Sequence, residues 1–233
     1  MQIGDLEVEV DRKAIKNLHI AVHPPEGRVR VAAPEAMSPE AIRVAVSLRL
    51  AWIRRQQAKF RGQARQTERE MVSGETHYFL GRGYRLLVEK RGEVGRIRLE
   101  GDRMRLTCPE AATRDDRFGI LARWYRRELR TLIQPKVAEW SAKIGVPAPN
   151  VGIRQMKTMW GACNPKATHI WLNLELIKKS MPCIDYVIVH ELAHLVSETH
   201  DERFIYVLDR AMPNWRHTRQ ALNEEPLAHE KWT

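Results

Sequence analysis

One apolar stretch near residue 190 contains two histidines and a glutamate, and it constrains the fold more than any other segment. It reads DYVIVHELAHL, with the run HELAH at residues 190–194. Histidines four residues apart lie on one face of a helix, so His190 and His194 can both reach a single ion. Burying these polar groups unpaired among valines and leucines would lower the stability of the fold by on the order of several kcal/mol. The stretch therefore predicts a helix with two metal ligands.

The expected start of this helix and the third ligand follow from residues on either side. Ser180 is a candidate N-cap, and Pro182 suits the first helical turn. His200 lies ten residues after His190, and the poor helix formers at 197–199 would let the chain turn back there. Metzincins have the same spacing but use Gly where this chain has Ser197. The third ligand is therefore His200 if the helix ends near Ser197.

If the helix instead runs on past residue 197, a carboxylate must supply the third ligand. Glu198 and Glu202 are then the nearest candidates downstream. Which of the two arrangements the chain adopts depends on the turn, and the spacing leaves both open.

Glu191 is a candidate general base at the predicted metal site. It follows the first histidine directly and can therefore accept a proton from a metal-bound water. Three protein ligands with one open position are typical of catalytic zinc. The pattern predicts one zinc per chain on His190, His194 and His200, and peptide-bond hydrolysis by a zinc-activated water with Glu191 as general base. No other cofactor-binding residue is predicted.

Periodicity and turn residues along the chain indicate the α+β class. Strands are expected early in the chain, then a helix opened by Ser38 and Pro39, four antiparallel strands, a long helix ended by Gly145, two further strands, and two helices. The expected ranges are 6–10, 18–22 and 29–33 for the first strands, 39–62 for the helix, 78–108 for the next strands, 114–145 for the long helix, 151–156 and 169–174 for the last strands, and 182–196 and 202–210 for the final helices.

This pattern predicts a β-rich N-terminal half followed by a metallopeptidase half that contains the HExxH helix. We expect residues 1–112 to form the β-rich region with one basic helix and residues 113–226 to form the metallopeptidase domain. Residues 227–233 are expected to be a C-terminal tail.

The basic helix carries much of the formal net charge of +10. The segment Arg43–Arg65 contains seven Lys or Arg residues and no acidic residue. A solvated helix face is the ordinary explanation of such a run, but its positive field can also attract nucleic acid. The alternative function is therefore a DNA-associated protease, or a nucleic-acid-binding module, that uses this helix.

Cysteine usage and hydropathy indicate the compartment. The three cysteines form no CxxC pair, and no run approaches eighteen apolar residues. The first residues also lack the apolar core of a signal peptide. We therefore expect a soluble, unexported, cytoplasmic protein whose partners are peptide or protein substrates and not a membrane.

Several residues outside the predicted ligand set have weaker claims. Cys163 could bind zinc as a thiolate but is more typical of a small buried residue. Asn173 could hydrogen-bond a ligand imidazole, or be an ordinary amide at a strand end. Arg203 and Tyr206 are candidates for stabilising an oxyanion. The strand expected near 169–174 could hold an extended peptide at a sheet edge.

The segment Lys157–Trp215 resembles the YgjP-like metallopeptidase family, which is related to the SprT and WLM proteases. The motifs are TMWGACNP, IWLNLELI, DYVIVHELAHL, THDERF and MPNW. The similarity continues upstream through RVRVAAPEAMSPEAI, AWIRRQQAKF, YFLGRGYRLLV and WYRRELR, so it covers residues 10–220. It implies a zincin-type peptidase half with zinc on the three histidines and Glu191 as base. The family's usual WGSC loop is WGAC here, so no catalytic hydroxyl is expected at Ala162.

Overall fold

The computed structural model describes residues 1–23, 27–62, 69–156 and 159–224. It contains sheets and helices in the predicted α+β arrangement, with strands concentrated in the first part of the chain. The chain divides into two compact units, Met1–Gln66 and Thr67–Thr233.

The first unit is a four-stranded sheet with two helices. Its sheet has the order β1-β2-β4-β3, in which β2 and β4 are parallel and β3 and β4 are antiparallel. Valines of the sheet and isoleucines of the helices form its core. The elements are β1 (Gln2–Ile3), β2 (Leu6–Lys13), β3 (His19–His23), β4 (Arg28–Pro34), α1 (Pro39–Leu48) and α2 (Leu50–Gly62).

The predicted basic helix is two consecutive helices. Ser38 caps α1 as predicted, because its hydroxyl accepts a hydrogen bond from the Ala41 amide at 3.2 Å. Arg49 leaves the helical conformation, so α1 ends there and α2 begins at Leu50. The last residues of the predicted segment, 63–65, lie outside the described residues.

The second unit begins with a sheet of the same topology. Its order is β5-β6-β8-β7, again with one parallel pair, β6 and β8, between two antiparallel pairs. The prediction that all four strands are antiparallel was therefore wrong for β6 and β8, because the hairpin strand β7 lies at the edge and not between them. The strands are β5 (Thr76–Phe79), β6 (Arg82–Lys90), β7 (Arg96–Glu100) and β8 (Arg103–Cys108).

A long helix and a small sheet follow in the second unit. Helix α3 (Arg114–Ile144) opens with a capping box between Thr113 and Asp116, continues through Pro135, and ends at Gly145 in the left-handed conformation. The small sheet has the order β10-β11-β9. The remaining elements are β9 (Asn150–Arg154), β10 (Gly161–Asn164), β11 (His169–Asn173), α4 (Met181–Ala193), α5 (Glu202–Ala211) and α6 (Trp215–Glu224).

One hydrophobic core joins these elements. Leu106 of β8, Leu121 of α3, Ile188 of α4 and Phe204 of α5 all belong to it and are almost fully buried. The compact units consequently divide at residues 66 and 67, and not at the boundary between 112 and 113 that the sequence suggested. Strands β5–β8 bury their apolar face against helix α3 of the same unit. The predicted tail, 227–233, lies outside the described residues.

The sequence did not predict α6, which follows a break at Met212–Asn214. Within the described part of the chain, none of the helices is both long enough and apolar enough to cross a bilayer.

Candidate metal centre

The carboxyl end of α4 places two imidazoles side by side. The helix begins after Ser180 with Pro182 in its first turn, as predicted, and it ends at Ala193 with His194 as the C-cap. His190 lies one turn earlier, and the two rings have centroids 5.1 Å apart. The apolar residues around them, including Ile188 and Leu192, are fully buried in the core of the second unit.

The chain turns sharply after α4 without the help of a glycine. The Val196 and Ser197 amides both donate to the Ala193 carbonyl at 3.0 Å, which closes the helix. Ser197 keeps a negative φ, so the turn does not need the left-handed conformation that favours glycine. The Ser197 hydroxyl then donates to Asp201 at 2.7 Å.

Asp201 is the residue that joins this turn to α5. It is the N-cap of α5 and accepts a hydrogen bond from the Phe204 amide at 3.0 Å. One carboxylate therefore fixes both the end of the turn and the start of the next helix. This arrangement returns His200 to the end of α4, and the alternative in which the helix runs on past residue 197 is wrong.

The three histidines form a cluster that could hold a metal ion. His190, His194 and His200 each offer a ring nitrogen, and these nitrogens all lie within 4.8 Å of one another. Nε2 of His190 lies 3.3 Å from Nε2 of His200. A tetrahedral ion about 2.0–2.1 Å from two nitrogens holds them about 3.4 Å apart. Among the described residues, neither Glu198 nor Glu202 joins the cluster.

The protonation of these rings suits metal binding. Burial, together with the neighbouring His194 and His200, lowers the pKa of His190 to about 4. Burial also lowers the pKa of His194, whose Nδ1 donates to the Ser197 carbonyl at 3.3 Å and leaves Nε2 with a lone pair. Neutral imidazoles whose lone pairs converge repel one another unless a cation lies between them, so the donor set fits a metal such as zinc.

Phe204 supports the cluster from behind, and it was not predicted from the sequence. Its ring centroid lies 5.0, 4.8 and 4.5 Å from those of His190, His194 and His200, respectively. The side chain is 1% exposed. Its position four residues after the last histidine, on the apolar face of α5, was the available signal. The apolar Phe204 ring occupies one side of the histidine cluster, so the ring nitrogens of the three imidazoles face the other side.

Tyr186 is a second neighbour that the sequence did not identify. It lies one helical turn before His190, and the two ring centroids are 5.8 Å apart. The Tyr186 ring also stacks on Trp215 of α6, with an interplanar angle of 3°. Helix α6 therefore supports the ring beside His190.

Glu191 is buried beside the strand β10. It is 5% exposed, and burial raises the pKa of its carboxyl to about 8. The closest approach is to Gly161, where a Cβ atom would lie 2.4 Å from Oε1 of Glu191. Only a glycine leaves room for the carboxylate at this position.

Asn173 shapes the loop before Gly161 and does not act as a partner of an imidazole. Its buried amide donates to the carbonyls of Met156 and Met159, both at 2.8 Å. Its backbone amide donates to the Trp160 carbonyl at 2.9 Å. From the sequence we considered a hydrogen bond between Asn173 and a ligand imidazole. The structure instead gives Asn173 three hydrogen bonds to backbone carbonyls of this loop.

Of the other weak candidates, two are exposed and one is half-buried. Arg203 and Tyr206 are exposed, Tyr206 by 64%. Burial and the Glu191 charge raise the pKa of Cys163 to about 11, so its thiol is protonated at neutral pH. Among the described residues, Cys163 does not belong to the group of side chains that could hold a metal ion.

The fold and the histidine cluster are those of a candidate metallopeptidase, and comparison with known proteins identifies the family. Residues 16–225 match the family described as YgjP-like, metallopeptidase domain. The chain belongs to this family.

Two solved structures of archaeal metallopeptidase zymogens are similar to part of this chain. Abylysin of Pyrococcus abyssi is 22% identical, with 39% of this chain and 90% of that chain covered and a TM-score of 0.37. Jannalysin of Methanocaldococcus jannaschii is 20% identical, with 39% and 92% covered and a TM-score of 0.35. A search of curated proteins gave no significant match.

Proposed function

We propose that this chain is a zinc-dependent metallopeptidase that holds one zinc ion on His190, His194 and His200. The observation that carries the proposal is the convergence of three imidazoles next to a buried glutamate. Zinc, when bound, polarises a water molecule and a substrate carbonyl. The exposed position of His200 leaves one side of the cluster open to solvent and substrate.

Glu191 is the proposed general base. It follows His190 directly, and no hydrogen bond to a neighbouring donor holds its carboxylate within the described residues, so it can accept the proton of the attacking water. Burial raises the pKa of its carboxyl to about 8, and the positive charge of a zinc ion held next to it would favour the carboxylate, which is the form that accepts a proton. The protonated form can then return that proton to the leaving amine.

The proposed substrate is a protein or peptide in extended conformation. The sequence suggested the strand near 169–174 as a docking edge, but β11 lies in the middle of its sheet, between β10 and β9. The edge next to Glu191 is β10, which pairs only with β11 among the described strands. An extended peptide added to β10 would place its backbone beside Gly161 and the proposed base.

The substitution Glu191→Gln tests this proposal. The amide is nearly isosteric but cannot accept the proton of water, so zinc should stay bound while cleavage of an unfolded protein such as casein falls about a hundredfold or more. Elemental analysis and a cleavage assay on the same sample measure the two effects. Glu198→Gln is the matched control, since Glu198 is exposed near the turn.

The control should retain both zinc and cleavage. Unchanged cleavage by Glu191→Gln would remove Glu191 from the mechanism. A zinc-loaded wild-type protein that cleaves neither unfolded proteins nor peptides would refute the peptidase proposal.

A further inference from the structure

Helix α6 carries an arginine, Arg219, on the side of the helix that packs against α4. The contact between the two helices includes the stacked rings of Trp215 and Tyr186, and Tyr186 lies one turn before His190. Trp215 and Leu222 are 5% and 2% exposed, so the face of α6 that carries them is buried. Arg219 lies four residues after Trp215 and three before Leu222, which places its backbone on the same side of the helix. Its side chain is nevertheless exposed, so it lies at the rim of this contact.

The positive charge of Arg219 acts on two residues of α4 at the candidate metal centre. Burial raises the pKa of the Tyr186 hydroxyl, and the Arg219 charge opposes this rise. Burial, His194 and His200 lower the pKa of His190, and the Arg219 charge lowers it further. Salt screens the interactions of exposed charges beyond about 10 Å at 0.1 M. The guanidinium group therefore lies close to an imidazole of the histidine cluster.

No acidic residue in the described part of the chain forms an ion pair with Arg219. Asp209 of α5 accepts hydrogen bonds from Trp215 at 2.8 Å and from Arg216 at 2.6 Å, so it is engaged one turn earlier on α6. Glu191 lies against β10 and not against α6. A guanidinium group beside a metal centre with no acidic partner there can bind an anionic group that arrives from solution.

We propose that Arg219 binds a carboxylate of the substrate next to the scissile peptide bond, an inference that rests on the proposed peptidase function. A guanidinium group binds a carboxylate through two parallel hydrogen bonds. Consecutive residues of an extended peptide are about 3.4 Å apart, so a peptide with its scissile carbonyl at the histidine cluster brings neighbouring residues close to Arg219. The carboxylate belongs either to an acidic side chain or to the C-terminus of the peptide.

The test compares short peptides that share one sequence. The parent peptide has both ends blocked and contains no acidic residue. One set of derivatives carries Glu in place of Gln at one position at a time, and another derivative has a free C-terminal carboxylate. Mass spectrometry locates the cleaved bond, and kcat/KM is measured for each peptide with the zinc-loaded full chain. Binding of the same peptides to Glu191→Gln, followed by fluorescence anisotropy, is a second readout that does not require cleavage.

A carboxylate next to the scissile bond should raise kcat/KM and the binding affinity roughly tenfold over the parent peptide. The derivative that shows the gain identifies the source as an acidic side chain or the C-terminus. Arg219→Gln should remove the gain and leave cleavage of the parent peptide nearly unchanged. Arg219→Glu should reverse the preference, so that Lys at the same position is favoured over Glu. A purely structural role of Arg219 would not exchange one preference for the other.

The matched control is Arg210→Gln, which removes the same charge from an exposed position of α5. It should keep the preference of the wild type. Equal kcat/KM for acidic and neutral peptides in the wild type, or an unchanged preference in Arg219→Gln, would overturn the proposal. An equal fall in kcat for every peptide in Arg219→Gln would also overturn it and would assign Arg219 to the oxyanion instead.

Failure of this inference can be told apart from failure of the proposed function. Cleavage of all peptides without an acidic preference would overturn the role of Arg219 alone. If no peptide were cleaved, the peptidase proposal would be refuted, and the binding measurements would still decide the role of Arg219. Equal affinity for acidic and neutral peptides, or no binding of any peptide, would then overturn it.

Discussion

Gly161 and Glu191 are packed so closely that a single added methyl group would collide with the carboxylate. The Cβ atom of an alanine at Gly161 would lie 2.4 Å from Oε1 and 2.7 Å from Cδ of Glu191. Non-bonded carbon and oxygen atoms do not approach this closely, so one of the two residues would have to move. Gly161 is therefore a positioning residue for the proposed base, through the strand β10.

We expect Gly161→Ala to impair cleavage while leaving the metal in place. The carboxylate must shift, and a misplacement of about 1 Å at a reacting group can cost roughly a hundredfold in rate. The three atoms nearest to an added Cβ at Gly161 all belong to Glu191, so we expect the zinc content to be unchanged. The measurement is kcat and KM for a peptide substrate, with elemental analysis of the same sample.

Gly119→Ala is the control for this substitution. Gly119 lies in α3, and an added Cβ would meet only the flexible end of Arg123 at 3.4 Å. Alanine in a helix is about 1 kcal/mol more favourable than glycine, so this variant should be at least as stable and fully active. If Gly161→Ala cleaved substrate as fast as this control, the close approach would have no bearing on the reaction.

The position of His200 leads to a second prediction. His200→Ala should lower zinc affinity by orders of magnitude, because the open three-nitrogen site would become a two-nitrogen site. The fold should persist, since His200 is exposed and lies outside the core. Competition with a chromogenic chelator measures the affinity, and circular dichroism measures the folded content.

The exposed residue His217 on α6 provides the comparison. His217→Ala removes a histidine of the same type without touching the cluster, and it should bind zinc as tightly as the wild type. Retention of wild-type affinity by His200→Ala would mean that the third ligand is another residue.

A third prediction concerns His77, which is buried in β5 away from the metal centre. Burial lowers its pKa to about 4, although Nε2 lies 3.2 Å from the Glu75 carboxylate. The unfolded chain takes up a proton near pH 6.5, whereas the folded chain does not until about pH 4. The contribution of His77 to stability is therefore present above pH 6.5 and is lost as the pH falls to about 4.

His77→Gln removes this titration but keeps a donor for Glu75. The free energy of unfolding of the wild type should fall more steeply than that of the variant between about pH 6.5 and 4, as measured by urea unfolding of the metal-free proteins. His217→Gln, at an exposed position, should follow the wild type. Parallel curves for wild type and His77→Gln would show that His77 is already protonated in the folded protein.

The features that were predicted correctly from the sequence are determined by short segments. Ser38 with Pro39, and Gly145 at the end of α3, are capping signals that act within one helical turn. The spacing of His190, His194 and His200 likewise depends on a helix and one adjacent turn. Ser197 left the turn open from the sequence alone, because the decisive hydrogen bond goes to Asp201.

The features that were missed depend on contacts between distant segments. Asn173 is an ordinary strand-end amide in the sequence, and only the folded chain brings Met156 and Met159 to it. The proximity of Gly161 and Glu191 joins a strand and a helix in the same way. The two sheets share a strand order without any visible sequence repeat, because hydrophobic alternation does not specify which strand pairs with which.

The turn between His194 and His200 affects when the protein could acquire an ion. A metal ligated at both ends of so short a segment closes a small loop, and the entropy removed from the unfolded chain by such a loop is modest. The large core of the second unit, formed by the sheets and by α3 and α4, consists of apolar side chains and includes none of the three imidazoles. We therefore expect the chain to fold without a metal ion and to bind one afterwards. Metal supply in the surroundings, and not the success of folding, would then set the fraction of molecules able to act.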